Sequence, residues 1–199
     1  MRTDIVGRLL RAGHKIVLFV TSPERVALYQ KEFAHPNLHY EVVRNFSFTT
    51  GDKIFEFFKK YLVRTKSLFI YKKASLIKNK NYLSYAGSVV LSLILGWGFL
   101  RKLARFLDQR FVQNKSFSTF FDKHNPDMVF LANLFDAMEI AMLREAKNWK
   151  VKTAGFVNSW DKITIKGHMR LLPHKLIVTN GTVKKEARKY LGEKEKNIF

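Results

Sequence analysis

Residues 152–167 have the sequence KTAGFVNSWDKITIKG. The apolar run Thr153 to Val157 predicts a buried strand, and the residues that follow it are mostly polar. They carry hydroxyls, one carboxylate, two lysines and an indole, on Ser159, Trp160, Asp161, Lys162, Thr164 and Lys166, before the chain reaches Gly167. Because open α/β sheets bind ligands at the carboxyl ends of their parallel strands, this loop is a candidate ligand site. The alternative is a surface loop whose charges are solvated.

The segments on both sides of this loop alternate between apolar strands and helices, which is typical of βαβ units in a parallel sheet. The predicted strands are Lys15 to Thr21, His39 to Arg44, Asp127 to Ala132, Thr153 to Val157 and Lys175 to Thr179. We therefore expect an α/β fold with a Rossmann-like, doubly wound parallel sheet, forming a single domain over residues 1–199.

The two ends of the chain do not fit a complete doubly wound sheet. The chain opens with a predicted helix, Arg2 to Ala12, where such a sheet has its first strand. It ends in Asn197-Ile198-Phe199, which has the composition of a strand that is just beginning. We therefore expect a fragment of a longer protein whose first strand is missing, the alternative being a compact domain with frayed ends.

Residues 51–124 interrupt the alternation with a segment predicted to be mainly helical, basic and apolar. Within it, the uncharged run Asn81 to Leu100 is close to the length of about 20 residues at which a helix can span hydrocarbon. Its glycines and serines leave three interpretations open: a helix packed within protein, a helix at a membrane interface, or a membrane span. Basic residues favour an anionic leaflet and tryptophan favours the headgroup region. The residues predicted to dock on a membrane are Trp97, Arg101, Lys102 and Arg105.

The composition limits the classes of partner. The chain has 199 residues, 47% of them hydrophobic, and can therefore bury a core. Its 36 lysines and arginines against 16 aspartates and glutamates give a formal net charge of +20, which attracts nucleic acid, anionic lipid or phosphorylated substrates. The sequence has no helix-turn-helix, RNA-binding sheet motif or zinc finger, which disfavours nucleic acid. An anionic membrane surface is the expected macromolecular partner.

Motifs for cofactors and metals are absent from the sequence. The chain has no cysteine, which excludes disulfides and cysteine nucleophiles. Its glycines do not form a phosphate-binding loop between a strand and a helix. His35 and His39 have the spacing of zinc ligands on a helix, but Pro36 between them breaks the helix that such a pair needs. We predict no metal site and no cofactor.

Polar residues follow two other predicted strands. Thr21 and Ser22 precede a helix whose N–H groups can hold an anion, and a plain helix cap is the alternative. Asn133 and Asp136 follow the strand Asp127 to Ala132 and can contact substrate hydroxyls. Asp136 is equally suited to cap the helix that begins after it.

In the loop after Val157, Asp161 is the only carboxylate. It is the candidate general base, and a turn-forming residue is the alternative. Lys162 and Lys166 can hold a phosphate group as point charges. The remaining predicted substrate-binding residues of this loop are Ser159, Trp160 and Thr164.

Two stretches, FVNSWDKITIKG at 156–167 and LLPHKLIVTNGTVKKEARKYLG at 171–192, resemble the N-terminal half of GT-B-fold glycosyltransferase-like proteins. The resemblance is to the bacterial group that includes CDP-glycerol glycerophosphotransferases and UDP-N-acetylglucosamine 2-epimerases. In that group a strand ends in S-W-D, a loop closes in K-G, and a strand and a K-x-E-A helix follow. The matching residues here are Ser159-Trp160-Asp161, Lys166-Gly167, Lys175 to Val178 and Lys185-Glu186-Ala187.

The resemblance implies the acceptor-side domain of a glycosyltransferase or glycerophosphotransferase that acts on a cell-envelope or lipid-linked glycan. In such enzymes a second domain holds most of the donor, here a nucleotide-activated sugar or CDP-glycerol, so residues 1–199 are expected to be inactive alone. The resemblance implies that Asp161 orients or deprotonates the acceptor. The expected location is cytoplasmic and peripheral to the membrane. The alternative function is a non-enzymatic basic module that binds anionic membrane or nucleic acid.

Overall fold

The computed structural model describes residues 4–44 and 46–199, which form two compact units. The first unit extends from Met1 to Phe46 and the second from Ser47 to Phe199. Both units combine helices with parallel strands, which confirms the predicted α/β class. In the described part of the chain, the strands lie in two sheets of two and three strands. The continuous Rossmann-like sheet is therefore not confirmed.

The first unit is a helix followed by a βαβ unit. Its elements are α1 (Ile5–Arg11), β1 (Ile16–Val20), α2 (Pro23–Glu32) and β2 (Leu38–Val42). β1 and β2 are parallel, with Ile16 opposite Leu38 and Val20 opposite Val42. Pro23 occupies the first turn of α2, where its missing N–H leaves no helical hydrogen bond unmade. The two strands and two helices predicted for this part of the sequence are confirmed.

The second unit begins with a run of helices and continues as alternating strands and helices. Its elements are α3 (Thr50–Phe58), α4 (Lys66–Asn79), α5 (Tyr82–Leu95), α6 (Gly98–Phe111), α7 (Ser118–His124), β3 (Met128–Leu131), α8 (Ala137–Asn148), β4 (Lys152–Phe156), α9 (Lys162–Ile165), β5 (Lys175–Ile177), α10 (Gly181–Glu186), a π-helical turn Ala187–Leu191 and a 3₁₀ turn Glu195–Asn197. The mainly helical character predicted for residues 51–124 is confirmed.

β3, β4 and β5 form the sheet of the second unit in that order, and all three are parallel. Met128 lies opposite Lys152, and Ala154 lies opposite Lys175. Ile198 adds a single parallel bridge to Leu176 beyond β5. This bridge agrees with the strand-like composition of the last three residues.

α8 provides the centre of the hydrophobic core, because it packs on both β3 and β4. Its inward face buries Ile140, Leu143 and Ala146, each at most 2% exposed. The facing strands and the loop after β4 contribute apolar residues that are at most 4% exposed, so these three residues of α8 form a true core face. These strand and loop residues are Leu131, Ala154, Val157 and Leu176.

The uncharged run Asn81 to Leu100 does not form one helix. α5 ends at Leu95, and α6 begins at Gly98 with an axis bent by 91° from that of α5. Among the described residues no single helix is long and apolar enough to cross a membrane, although the bent pair satisfies that test on length and composition. α5 has no buried residue, so it is not enclosed by protein in the described part of the chain, although it packs against α4 on one side.

Candidate functional site

The carboxyl ends of β3 and β4 bring together two of the predicted sets of polar residues. The two strands are adjacent and parallel, so the chain leaves both at the same edge of the sheet. Lys162, at the start of α9, donates a hydrogen bond of 2.8 Å from its ammonium group to the side-chain oxygen of Asn133. We call this region the strand-end site. Its residues are Asn133, Asp136, Glu139, Ser159, Trp160, Asp161 and Lys162.

Glu139 is a member of this site that the sequence analysis missed. Its carboxylate accepts a hydrogen bond of 2.6 Å from the backbone N–H of Asn133. Burial raises the pKa of Glu139, and the charge of Asp136 adds to the increase, while the Asn133 N–H and Lys162 oppose it. The spacing of Asp136 and Glu139 is that of a capping box and was the available signal, although Glu139 accepts from the N–H of Asn133 and not from that of the N-cap residue Asp136.

Asp136 has the structural role that the sequence offered as an alternative. It is the N-cap of α8, and its carboxylate accepts hydrogen bonds of 3.0 Å from the N–H of Met138 and 3.4 Å from that of Glu139. The side chain is exposed, so the capping bonds leave part of the carboxylate open to solvent. The predicted contact with a substrate hydroxyl stays a prediction.

The side chain of Asp161 is half-buried and accepts a hydrogen bond from the hydroxyl of Ser159. Its backbone carbonyl accepts bonds from the N–H of Ile165 at 2.9 Å and the hydroxyl of Thr164 at 3.0 Å, which closes the short helix α9. Thr164 therefore has an internal hydrogen-bonding role. The indole of Trp160 is 71% exposed beside Asp161.

Lys166 and the two polar residues of the first unit have fewer described contacts. Lys166 ends α9 and is exposed. Ser22 occupies the N-cap position of α2 in an extended conformation, but its side chain makes no capping bond to the helix. It interacts instead with the carboxylate of Glu24, whose pKa is lowered by its own backbone N–H and by Ser22. Thr21 is exposed at the end of β1.

The four residues predicted to dock on a membrane divide into two pairs. Trp97 and Lys102 are exposed. Arg101 donates to the carbonyl oxygens of Lys189 and Tyr190, and Arg105 donates to that of Met169 at 3.1 Å. Burial lowers the pKa of Arg105 to about 10. The guanidinium groups of both arginines thus hold α6 to the rest of its unit.

The loop of the strand-end site ends at Gly167, a position where the backbone and its surroundings require glycine. Its φ of +84° lies in the left-handed region that disfavours residues with a Cβ. A Cβ at this position would lie 2.7 Å from the carbonyl oxygen of Lys59. The next residue, His168, donates its backbone N–H to the same oxygen at 2.8 Å. The loop is therefore held against the end of α3 by a contact that only glycine permits.

We expect Gly167→Ala to destabilise the second unit by more than Gly192→Ala. Gly192 also has a positive φ, +67°, but a Cβ there meets nothing within 4 Å. Gly192→Ala should therefore cost only the backbone strain of about 1–2 kcal/mol, and Gly167→Ala should add the clash with Lys59. Urea denaturation of both variants measures the difference. Equal losses of unfolding free energy would show that the contact with Lys59 relaxes without cost.

A buried network of four charged side chains lies behind this loop. Arg170 donates to Asp52 at 2.9 Å and to Asp108 at 2.7 Å, and Arg144 donates to Asp108 and lies 3.5 Å from Asp52. All four residues are at most 3% exposed. The network joins α3, α6 and α8 to the segment that follows Gly167. The sequence carries no signal for it, because its members are separated by up to 118 positions.

Hydrogen bonding determines the titration of this network at Asp52. Burial by itself raises the pKa of that carboxyl, but donors from Asn114, Thr49 and Arg170 outweigh it and lower the pKa below its ordinary value of 3.8. The ionised form of Asp52 is therefore the form that the folded protein stabilises.

In the part of the chain that the structure describes, no group of three or more histidine, aspartate or glutamate side chains is placed to hold a metal ion. Comparison of the chain with protein families, curated proteins and solved structures finds no match in any of the three.

Proposed function

We propose that the strand-end site binds the acceptor of a GT-B-type glycosyl- or glycerophosphotransferase, and that the acceptor carries both a hydroxyl and a phosphate group. The observation that supports this proposal is the bond between Lys162 and Asn133 across the ends of β3 and β4. It places a cation, an amide and the carboxylate-bearing α9 loop at one sheet edge. Ligands of open α/β sheets bind at such an edge.

Each side chain of the site has a property that suits this acceptor. Lys162 is a compact positive charge for a phosphate oxygen. Ser159 donates to one carboxylate oxygen of Asp161 and thereby fixes the side chain, and a carboxylate can take the proton of an acceptor hydroxyl. The exposed indole of Trp160 offers an apolar face for a sugar ring or a glycerol backbone.

In the proposed reaction the acceptor hydroxyl attacks a donor held by the other half of such an enzyme. The donor is a nucleotide-activated sugar or CDP-glycerol. A bond forms between the acceptor oxygen and the sugar carbon or the glycerol-bearing phosphorus, the bond to the leaving nucleotide breaks with its electron pair, and Asp161 takes the acceptor proton. We place this reaction at the cytoplasmic side of a membrane, where such donors are dissolved.

We expect small phosphorylated polyols to bind the strand-end site and change the fluorescence of Trp160. The 199-residue chain, with Trp97 and Trp149 replaced by Phe, is titrated with glycerol 3-phosphate and with N-acetylglucosamine 1-phosphate. With the strand-end site unaltered, the fluorescence change should saturate as ligand is added. Lys162→Met should weaken the affinity by about tenfold or more, since it removes a charge-assisted contact.

The control for this titration is Lys152→Met. Lys152 is exposed, whereas Lys162 is half-buried, and Lys152 lies at the amino end of β4, at the opposite edge of the sheet from the strand-end site. The substitution Lys152→Met lowers the net charge of +20 by one, as Lys162→Met does, and should leave the titration unchanged. If both lysine variants weaken binding equally, the phosphate is attracted by the overall charge and the proposed site is wrong. Fluorescence that stays constant in all variants contradicts it as well.

A further inference from the structure

The polarity of α5 is reversed relative to a helix on the surface of a soluble domain. Its serines at positions 84, 88 and 92 form one stripe, and the stripe faces protein at Ser88 and Ser92. Lys72 donates to the Ser88 carbonyl at 3.2 Å and to the Ser92 hydroxyl, and Arg64 donates to the Ser92 carbonyl at 2.7 Å. The apolar side of α5 is outside: Leu83 is 86% exposed. A soluble helix has the opposite arrangement.

α6 is reversed in the same way. Arg101 and Arg105 point to internal carbonyl groups, and Asp108 is 1% exposed within the buried charge network. The outer side presents Phe99 and Phe106, which are 72% and 64% exposed. α5 thus directs its serines, and α6 its Arg101, Arg105 and Asp108, towards protein, and both helices carry large apolar side chains on the outside. Such a contiguous apolar exposure indicates a binding surface.

The bend between the two helices places Trp97 at its corner, 66% exposed. The indole N–H of Trp97 donates to the carbonyl oxygen of Leu93 at 3.2 Å. The single polar atom of the ring is therefore already paired, which removes the cost of desolvating it. We call the exposed apolar residues around this bend the apolar elbow. They are Leu93, Ile94, Trp97, Phe99, Leu103 and Phe106.

The charge around the apolar elbow identifies its partner. Residues 57–107 contain eleven lysines and arginines and no aspartate or glutamate. Four of the eleven bond to carbonyl groups of the protein, and the exposed lysines are Lys60, Lys66, Lys73, Lys78, Lys80 and Lys102. A surface that is apolar at its centre and cationic around it complements a bilayer with anionic headgroups. It does not complement a second copy of this chain, since that copy would bring the same positive charge to the contact.

We infer that the apolar elbow inserts into the outer part of an anionic lipid leaflet, with the surrounding lysines on the headgroups. This inference does not depend on the proposed transferase function. Of the four residues predicted to dock on a membrane, it keeps Trp97 and Lys102 as lipid contacts. Arg101 and Arg105 bond to the protein instead, and the apolar residues beside them enter the leaflet. The bilayer supplies the apolar contacts that the exposed sides of α5 and α6 lack in the described part of the chain.

We expect the 199-residue chain to co-sediment with vesicles of phosphatidylcholine and phosphatidylglycerol in equal parts, and far less with pure phosphatidylcholine. A triple variant, Leu93→Ser, Trp97→Ser and Phe99→Ser, should reduce vesicle binding by about tenfold or more, because it removes large apolar groups that enter the leaflet. All three residues are more than half exposed, so the variant should keep the circular dichroism spectrum and melting temperature of the parent.

Leu28→Ser is the matched control for the triple variant. Leu28 is 61% exposed on α2 in the first unit, outside the apolar elbow, and its replacement should leave vesicle binding unchanged. Equal binding by the triple variant and its parent would overturn the inference. A second result would also overturn it: the parent chain does not bind vesicles but forms an oligomer, and the triple variant abolishes that oligomer. The apolar elbow would then contact a second copy of the chain.

Quenching of Trp97 distinguishes insertion from adsorption by charge alone. In a chain with Trp149→Phe and Trp160→Phe, Trp97 is the sole indole. Bromine atoms on the upper acyl carbons of the lipids should then quench its fluorescence when anionic vesicles are added. Binding without quenching would show that the lysines hold the chain at the headgroups and that the elbow does not enter the leaflet.

Discussion

Replacing Arg170 with Met is expected to lower the free energy of unfolding by about 3–5 kcal/mol, because it leaves one buried cation, Arg144, for two buried carboxylates. Arg170 contacts both Asp52 and Asp108, and the remaining cation, Arg144, cannot make all of the lost hydrogen bonds. The energy at stake is that of an uncompensated buried charge, which far exceeds the net contribution of an ion pair in water. Urea denaturation of the wild type and the variant measures it.

Arg188→Met is the matched control for this substitution. Arg188 pairs with Glu195 at 2.9 Å, but the two side chains are 54% and 59% exposed. Exposed pairs contribute about 0–1 kcal/mol, so the control should unfold close to the wild type. If Arg170→Met loses no more stability than Arg188→Met, the buried network does not stabilise the second unit.

The pH dependence of Arg170→Met provides a second check. In the wild type the pKa of Asp52 is lowered, so its contribution to stability is present above pH 3.8 and is lost as the pH falls through the folded pKa. Without Arg170, the buried carboxylate of Asp52 has one hydrogen-bond donor fewer, so its ionised form is less stable in the folded protein. Protonation of Asp52 removes this destabilisation. The difference in stability between the two proteins should therefore narrow at acidic pH. If the difference in unfolding free energy stays constant with pH, the loss of stability comes from packing and not from the charge of Asp52.

Replacing Asp161 with Asn is expected to reduce turnover by on the order of 10²–10⁴-fold if Asp161 is the general base of the proposed transferase. Asn is isosteric with Asp and can still accept the hydrogen bond from Ser159, so folding and acceptor binding should persist. The loss should appear in kcat, since the amide cannot take a proton. The measurement is the rate of nucleotide release by the proposed two-domain transferase, with and without the substitution.

Asp127→Asn is the matched control for the Asp161 prediction. Asp127 is an exposed carboxylate at the amino end of β3, the opposite edge of the sheet from the strand-end site. The same change there should leave kcat unaltered. If Asp161→Asn keeps full turnover, Asp161 is not the base. Glu139 would then be the carboxylate to test, because it lies in the same site and its pKa is raised.

The strand-end site was predictable in part. Asn133, Asp161 and Lys162 were identified because each follows a predicted strand, and adjacent parallel strands deliver such residues to one edge. Glu139 was missed because it lies inside a helix, where a carboxylate near the first turn is ordinarily a surface residue. Its burial, and its bond to the N–H of Asn133, depend on how α8 packs against the end of β3.

Local patterns were sufficient for the secondary structure and for the α/β class. Alternating apolar runs and helical spacing are properties of neighbouring residues, so the strands around Val17, Val129, Ala154 and Leu176 could be located from the sequence. The same patterns could not separate one continuous sheet from two, because strand pairing beyond a βαβ unit depends on contacts between distant segments.

Only the tertiary structure decided which way α5 and α6 face and where the buried charges meet. A stripe of serines and a stripe of leucines on one helix are equally compatible with either side being buried, and the choice was made by Arg64 and Lys72, which bond to the serine side. Arg170 and Asp52 become partners only when chain segments 118 positions apart are packed together. Long-range packing carries this information because burial and ion pairing are properties of the assembled core, not of any local stretch.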